Sequence, residues 1–319
     1  MIAPTAIRPR VLVMMATYNG ECYLAEQIDS ILAQEDVAVS LLISDDGSSD
    51  KTCAICEGYA QRFANVKFRV NPHNKGLSKN FMDMLYESDV DLYDYLAFSD
   101  QDDFWESCKL ARAIEKLRSS GSGPRLYYSD VCNVNERLNG DGREFEPFAG
   151  RADSLALLLT VNWASGCTMV LNREFARILK EYEPPSWPRN HDGWIHLVAL
   201  ACGWAVSDLE NSYIKRRLSG ENQVGERGLG RIDLARIRMM FHWLVSDGGN
   251  PHWGTRTAKY ALEGYSRYMP KENISLLKQY ARAPKSLLMR LKLCVDPRFK
   301  SPYRQENILY SVKMILNKY

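Results

Sequence analysis

Residues 11–50 read VLVMMATYNGECYLAEQIDSILAQEDVAVSLLISDDGSSD. Val11–Ala16 is a continuous apolar run, the pattern of a strand buried on both faces. Leu24, Ile28, Ile31 and Leu32 follow at helical spacing. Val39–Ser44 is a second apolar run. The cluster Asp45-Asp46-Gly47-Ser48-Ser49-Asp50 closes it in a turn, where Ser49 or Asp50 can cap the next helix. Strand, helix and strand in this order make a βαβ unit, and such a unit predicts a parallel sheet.

The rhythm continues outward. Lys51–Phe63 reads as a helix, Val66–Val70 as a strand, Leu77–Tyr86 as a helix and Tyr93–Ser99 as a strand. Phe104–Leu117 reads as a helix and Arg125–Ser129 as a strand. The expected fold is an α/β, Rossmann-like and mostly parallel sheet covered by helices. Residues 121–124 and 139–150 break the pattern. Beyond them Ser154–Val161 reads as helical, Gly166–Leu171 as a strand and Arg173–Tyr182 as a helix. Asn190 can cap a helix that runs through Cys202. From Gly230 the pattern is helical, amphipathic and basic, with breaks at Gly248-Gly249, Pro270, Pro284 and Pro297. The expected domains are 1–229 and a helical extension over 230–319.

The 319 residues are 45% hydrophobic and 25% charged, which excludes a disordered, collagenous or coiled-coil chain. No run approaches the roughly 18 apolar residues of a membrane span, and Val11–Ala16 is too short for a signal-peptide core. The expected location is therefore the cytosol. The eight cysteines then read as reduced thiols, and Cys53 and Cys56 as thiols on a helix face rather than a zinc or redox pair. Residues 1–229 carry 24 Lys and Arg against 33 Asp and Glu, whereas residues 230–319 carry 17 against 6. An acidic body with a basic tail points the tail toward an anionic partner. Nucleic acid, a phosphorylated glycolipid and a membrane surface all fit that charge. No nucleic-acid motif accompanies it, so no nucleic-acid partner is expected. In the tail, the face made by Leu234, Ile237, Met240, Phe241, Leu244 and Val245 is amphipathic. Leu287, Leu288, Leu291, Leu293 and Val295, mixed with Lys285, Arg290 and Lys292, make another. Such helices either pack on the first domain or lie on an anionic membrane.

In an open parallel sheet, ligands bind beyond the carboxyl ends of the strands. Three strand ends are polar here: Ala16-Thr17-Tyr18-Asn19, Asp45-Asp46 and Asp100-Gln101-Asp102-Asp103. If these strands lie side by side, five carboxylates and an aromatic ring converge. Crowded like charges need a counter-cation. Oxygen ligands without a His or Cys cluster suit Mg²⁺ or Mn²⁺, which in turn binds a diphosphate. A single Asp at a strand end is ordinary turn chemistry; two such clusters in one α/β half point to function. GxxxxGK[ST], GxGxxG and HExxH are all absent, which removes the common phosphate loops and a zinc hydrolase.

Four pieces then fall in a known order and spacing: Ala16-Thr17-Tyr18-Asn19, Ser44 through Asp50, Asn74-Lys75-Gly76 with Asn80, and Ser99 through Asp103. As a set they resemble family 2 glycosyltransferases of the GT-A fold, over roughly residues 10–225. Phe98–Trp105 with Lys109, His191-Asp192-Gly193-Trp194 and the stretch from Arg217 to Gly225 resemble the bacterial rhamnosyltransferase branch. The resemblance implies an inverting, metal-dependent transfer from a nucleoside diphosphate sugar. Its donor would be dTDP-L-rhamnose and its acceptor a saccharide or lipid-linked glycan of cell-surface polysaccharide or lipopolysaccharide. A UDP-hexose donor is the alternative within the class. A non-catalytic glycan-binding protein on the same scaffold is the alternative outside it.

The resemblance also implies roles. Tyr18 would stack on the base, the backbone near Ala16 would face the nucleotide, and Asp46 would accept from the ring N–H of uracil or thymine. Lys79 would approach the nucleotide or its diphosphate. Asp100 and Asp102 form the DxD pair, with Asp102 the direct ligand of Mg²⁺ or Mn²⁺ and Asp100 at ribose, sugar or metal. Gln101 lies between them at the nucleotide-sugar site. Asp103 is read as the start of the following helix, where its charge suits the dipole. Asp192 matches the catalytic base, with the first-turn helix carboxylate as its structural alternative. Gly166, His191, Trp194 and Arg217 would line the acceptor and sugar pocket, and Trp163, Trp187 and Trp194 are candidate platforms for sugar rings. Two positions depart from the pattern. Ser219 stands where a His is usual, which shifts any diphosphate contact toward Arg216, Arg217 or Glu221. Gly193 replaces a bulkier residue and enlarges the acceptor side. A peripheral position on the inner face of the cytoplasmic membrane would follow from a lipid-linked acceptor.

Overall fold

The computed structural model describes residues 8–140, 142–186, 190–218 and 253–318. The chain divides into two compact units that take turns along the sequence. The first comprises residues 1–149, 164–181 and 205–222, and the second 150–163, 182–204 and 223–319. The domain boundary expected between 229 and 230 lies outside the described residues. So do Trp187, Ser219, Glu221 and the amphipathic stretch 234–245.

The first unit is a sheet with helices. Its elements are β1 (Arg10–Thr17), α1 (Leu24–Leu32), β2 (Ala38–Asp45), α2 (Thr52–Arg62), β3 (Val66–Val70), α3 (Leu77–Glu87), β4 (Tyr95–Ser99), β5 (Phe104–Trp105), α4 (Lys109–Ser119), β6 (Leu126–Val134), β7 (Gly142–Arg143), β8 (Val170–Asn172), α6 (Arg173–Leu179) and β9 (Ala205–Arg217). The strand order is β3-β2-β1-β4-β8-β6-β9-β5, with β7 on β6. β1 runs parallel to β2 on one side and β4 on the other, pairing Thr17 with Asp45 and Met15 with Ser99. The three polar strand ends therefore do lie side by side. The reason is visible in β1, where every residue from Val11 to Thr17 is buried, so it must be an interior strand. Leu24, Ile28 and Ile31 of α1 are wholly buried, and each such side chain contributes about 1.5–3 kcal/mol.

The second half of the sheet is mixed. β8 runs antiparallel to β4 and β6, while β6 and β9 are parallel from Leu126–Ala205 to Val134–Arg217. Here the sequence reading needs correction. Phe104 and Trp105 do not begin a helix. They pair with Lys215 and Ile214 of β9, and the helix starts at Lys109. The backbone of residues 104–105 is claimed by β9, whose polar sequence AVSDLENSYIKRR hides it from periodicity. Asp103 consequently opens no helix. Two further segments are shorter than expected. Ser154 caps a single turn, α5 (Leu155–Leu158), and Gly166–Thr168 is a 3-10 turn ahead of β8.

The second unit is helical: α5, α7 (His191–Cys202), α8 (Trp253–Tyr265), α9 (Lys271–Arg282), α10 (Leu287–Val295) and α11 (Arg304–Ile315). Every residue of α7 except Asp192 is buried, so it is the unit's central helix. Asn273 of α9 donates to the Ala201 carbonyl at 2.9 Å, Tyr280 to Leu159 and Tyr265 to Tyr182, both at 3.1 Å. These bonds satisfy carbonyls that burial would otherwise leave unpaired. The expected breaks are where the prolines stand. Pro270 caps α9, Pro284 lies in the turn before α10, and Pro297 in the turn before α11. No described helix is long and apolar enough to cross a membrane.

Candidate active site

The site begins where β1 and β2 end. The Asp45 carboxylate is wholly buried and accepts from Thr17 Oγ1 at 2.9 Å, Ser48 Oγ at 2.6 Å and the N–H groups of Gly47 and Ser48. Burial alone would raise its pKa, but these donors outweigh burial and hold it below the usual carboxylate range. Asp45 thus ties the two loops together and is not offered to a ligand. Asn19 adds a second tie. Its N–H donates to Ser48 Oγ at 2.8 Å, and its Oδ1 accepts from the Ser49 N–H at 2.8 Å.

Asp46 is 4% exposed. Its Oδ1 accepts from the Lys75 N–H at 2.8 Å and Asn71 Nδ2 at 3.0 Å, and its Oδ2 from the Gly76 N–H at 2.7 Å. A carboxylate has about four acceptor positions, so three donors leave one on Oδ2. Gly76 has φ +78°, a backbone conformation that glycine adopts at no steric cost. Asn71 Nδ2 also bonds Asn80 Oδ1, and Asn80 Nδ2 donates to the Ser44 carbonyl. Asn71 follows the last residue of β3, so the strand-end rule applied there would have found it. Lys79 Nζ sits 2.7 Å from Asp83, which Lys75 shares at 2.8 Å. Burial raises the Asp83 carboxyl, and the two lysines bring it below its ordinary value.

Tyr18 is exposed, with half of its surface open. Its backbone is fixed by Gln101, which accepts the Tyr18 N–H at 2.8 Å and donates to the Tyr18 carbonyl at 3.0 Å. A Cβ on Gly20 would lie 2.3 Å from Gln101 Oε1, so only glycine permits this clasp. Gln101 therefore joins the end of β1 to the loop after β4. Ala16, just upstream in β1, is buried.

That loop carries the acidic set. Oxygens of Asp100 and Asp103 and the sulfur of Cys167 lie within 4.8 Å of one another. Asp103 is buried, and its Oδ2 has no hydrogen-bond partner. Burial, then the charges of Asp100 and Asp102, push the Asp103 carboxyl well above the usual range. Burial also raises Asp102, against the pull of Arg217 and Arg216. Burial, then Asp103 and Asp100, push the Cys167 thiol far up, so it is a neutral thiol here. A buried carboxylate oxygen without a donor, among like charges, is the environment a divalent cation relieves. The residues present fit such an ion. The sequence marks Cys167 only as the end of a stretch, 162–167, that resembles the family's sugar and acceptor side. It follows Gly166, which is buried in the 3-10 turn before β8.

Arg217, expected at the acceptor and sugar pocket, is 1% exposed. Its guanidinium donates to the backbone carbonyls of Asp102 at 2.8 Å and Asp103 at 3.3 Å, pairs with Glu26, and lies 4.5 Å over the Tyr23 ring. It holds the acidic loop from behind. Arg216 pairs with Glu144 and bonds Asn133 at 2.8 Å. Lys109 is buried with its ammonium 3.4 Å over the Trp105 ring. Burial lowers its pKa to about 7 despite Cys167 and Asp103.

The remaining candidates belong to the second unit. Asp192 is half-buried in the first turn of α7 and accepts from the Gly193 N–H. His191 beside it is buried, which lowers its pKa against the pull of Asp192. Trp194 is wholly buried, with ring centroids 6.5 Å from Tyr182 and 6.0 Å from Tyr265. Trp163 is buried too, edge-on to His196 at 5.2 Å. Neither tryptophan presents a face to a sugar in this structure.

Residues 12–179 match the family described as Glycosyl transferase family 2. A dTDP-rhamnosyl transferase, RfbG, of Shigella flexneri is 45% identical over 105 residues, 32% of this chain and 36% of that protein. An uncharacterized glycosyltransferase of Haemophilus influenzae is 33% identical over 106 residues, 33% of this chain and 41% of its own length. The matched stretches thus span well under half of either relative. Among solved structures, S. aureus TarS in complex with UDP-GlcNAc aligns over 96% of this chain and 90% of its own, with TM-score 0.52 and 15% identity. The mannosyltransferase PcManGT from Pyrobaculum calidifontis, in complex with GDP-Man and Mn²⁺, aligns over 98% and 89%, with TM-score 0.50 and 16% identity. At these identities the two structures are similar in fold.

Proposed function

The chain belongs to glycosyl transferase family 2, and from that premise we propose that it transfers L-rhamnose from dTDP-L-rhamnose to a saccharide or lipid-linked glycan with inversion. The observation that carries a nucleotide-sugar site is the alignment of three strand ends. Tyr18, Asp46 and the 100–103 acidic loop stand at the adjacent carboxyl ends of β1, β2 and β4. Rhamnose is supported by the identity to the Shigella dTDP-rhamnosyl transferase. A UDP-hexose is the second reading, because a carboxylate acceptor at Asp46 serves uracil and thymine equally.

In this reading Tyr18 stacks on the base, and the remaining acceptor position of Asp46 takes the ring N–H. The Gln101 clasp keeps the stacking ring in register with the acidic loop. Lys79 and Lys75 neutralise the approach of the diphosphate. Asp100 and Asp102 would hold Mg²⁺ or Mn²⁺, with Asp103 within 4.8 Å of Asp100, and the ion would neutralise charge on the departing diphosphate. Asp192 accepts the proton of the acceptor hydroxyl. That oxygen bonds to the anomeric carbon from the face opposite the diphosphate, and the carbon–oxygen bond to the diphosphate breaks. His191 and Gly193 shape the ground beside Asp192.

The test is a thermal-shift panel of dTDP, UDP, GDP and CDP, each with and without Mn²⁺ or Mg²⁺. A ligand that binds the native state raises the melting temperature by mass action. A metal-dependent rise with dTDP, lost in Asp102→Ala, is expected. A rise with UDP alone selects the second reading, and no rise with any nucleotide removes both.

A further inference from the structure

The sequence groups Leu287, Leu288, Leu291, Leu293 and Val295 as one apolar face, but the structure divides them. Leu293 is buried, while Leu288 is 65% and Val295 78% exposed, and Leu287 and Leu291 are exposed with them. At 100° per residue, these four exposed side chains occupy an arc of roughly 100° on α10. Seven of the eleven exposed large apolar side chains among the described residues fall within residues 287–316. Arg290 reaches from α10 to the carbonyl of Ile315 at 3.0 Å, so the exposed Ile315 and Leu316 lie beside α10. Residues 283–318 carry eight Lys and Arg against two acidic residues. Both acids are already engaged, Asp296 by Arg298 at 2.7 Å and Glu306 by the Ser301 hydroxyl. Lys285 and Lys292, next to the apolar arc, are exposed.

We propose that this face of α10 and α11 docks on an anionic lipid bilayer. Exposed apolar patches mark interaction sites, and the composition here selects the partner. The patch is aliphatic. Leu and Val are under-represented among the residues that anchor protein interfaces, where Trp, Tyr and Arg dominate. A two-fold contact between copies would bring like-charged rims together. A bilayer with acidic headgroups instead takes the leucines into its interface and pairs the lysines, each worth about a tenfold or smaller gain in binding. This surface shares no residue with the nucleotide-sugar site, and the inference does not depend on that reading.

The experiment is co-sedimentation of the full chain with phosphatidylcholine vesicles and with vesicles containing phosphatidylglycerol, over a salt series and without nucleotide. We expect binding to the phosphatidylglycerol vesicles that weakens as salt rises, and little binding to phosphatidylcholine alone. Leu288→Asp with Val295→Asp should lower it more than tenfold, and Lys285→Glu with Lys292→Glu at least several-fold. Because all four positions are exposed, both variants should keep the native melting temperature. Equal binding to the two vesicle types, no binding to either, or unchanged binding by Leu288→Asp with Val295→Asp overturns the proposal. So does a dimer, seen by light scattering without lipid, that the same double variant dissolves.

Discussion

Two side chains carry the sharpest expectations. Asp192→Asn keeps the size and the helix but cannot take a proton. It should lower transfer by about 10²–10⁴-fold while the nucleotide-induced melting shift stays intact. Loss of the shift together with activity would show that Asp192 serves the fold rather than the acceptor hydroxyl. Gln101→Ala removes both bonds that fix the Tyr18 backbone. Each such bond is worth about 0.5–1.5 kcal/mol, so losing both should lower nucleotide affinity by roughly five- to 150-fold, measurable by calorimetry. Gln101→Glu should act almost as severely, because its carboxylate still accepts from the Tyr18 N–H but cannot donate to the carbonyl.

At the scale of elements, β9 decides how the acidic loop is held. It pairs with β5, and its last residue, Arg217, grips the carbonyls of Asp102 and Asp103. Arg217→Ala leaves those carbonyls and Glu26 without their donor, and should cost about 2–4 kcal/mol of stability with a weakened metal-dependent nucleotide shift. Arg217→Lys should recover little, since an ammonium cannot span two carbonyls and a carboxylate as a planar fork does. Chemical denaturation of the three proteins measures the first effect, and the thermal-shift panel the second. The same strand marks where the sequence stopped being legible. β1 to β4 were readable because strands buried on both faces are continuous apolar runs, and their polar ends announce themselves. β9 has only Leu209 and Ile214 as buried aliphatic residues, so no periodicity exposes it. Without β9, Phe104-Trp105 reads as helix, and the position of Arg217 against the Asp102 and Asp103 carbonyls is not foreseen. Tyr18, Asp46 and the acidic loop were visible as strand ends. The Asp103–Cys167 contact was not, because it joins residues far apart in the chain, and the resemblance of 162–167 to the family's acceptor side does not say which residue Cys167 meets. Trp194 looked like a platform because aromatic rings look alike in sequence whether they face a sugar or Tyr182 and Tyr265.

For the whole molecule, stability should depend on pH at both ends. The folded Asp45 and Asp83 lie below their ordinary values. Their stabilisation is complete above about pH 4 and is lost as pH falls through the lowered values. Asp45→Asn should therefore flatten the acid limb as well as lower stability at neutrality. Lys109 shifts the other way. Its folded value is about 7, against about 10.4 for an unfolded lysine, so the unfolded chain holds more protons between those limits. Stability should rise with pH from about 7 to about 10, on the order of a few kcal/mol, and Lys109→Met should remove that rise. Denaturant midpoints across the range read both limbs.

The Gln101 clasp bears on how such a protein changes its donor over time. It grips residue 18 only by its backbone N–H and carbonyl, and the Tyr18 ring points away into solvent. Any residue except proline, which lacks the N–H, can therefore be tried at position 18 while the acidic loop stays in register. If Tyr18 stacks on the base as proposed, that contact changes one codon at a time, uncoupled from the carboxylates proposed to handle the diphosphate. Glycine at 20 is what keeps that freedom open.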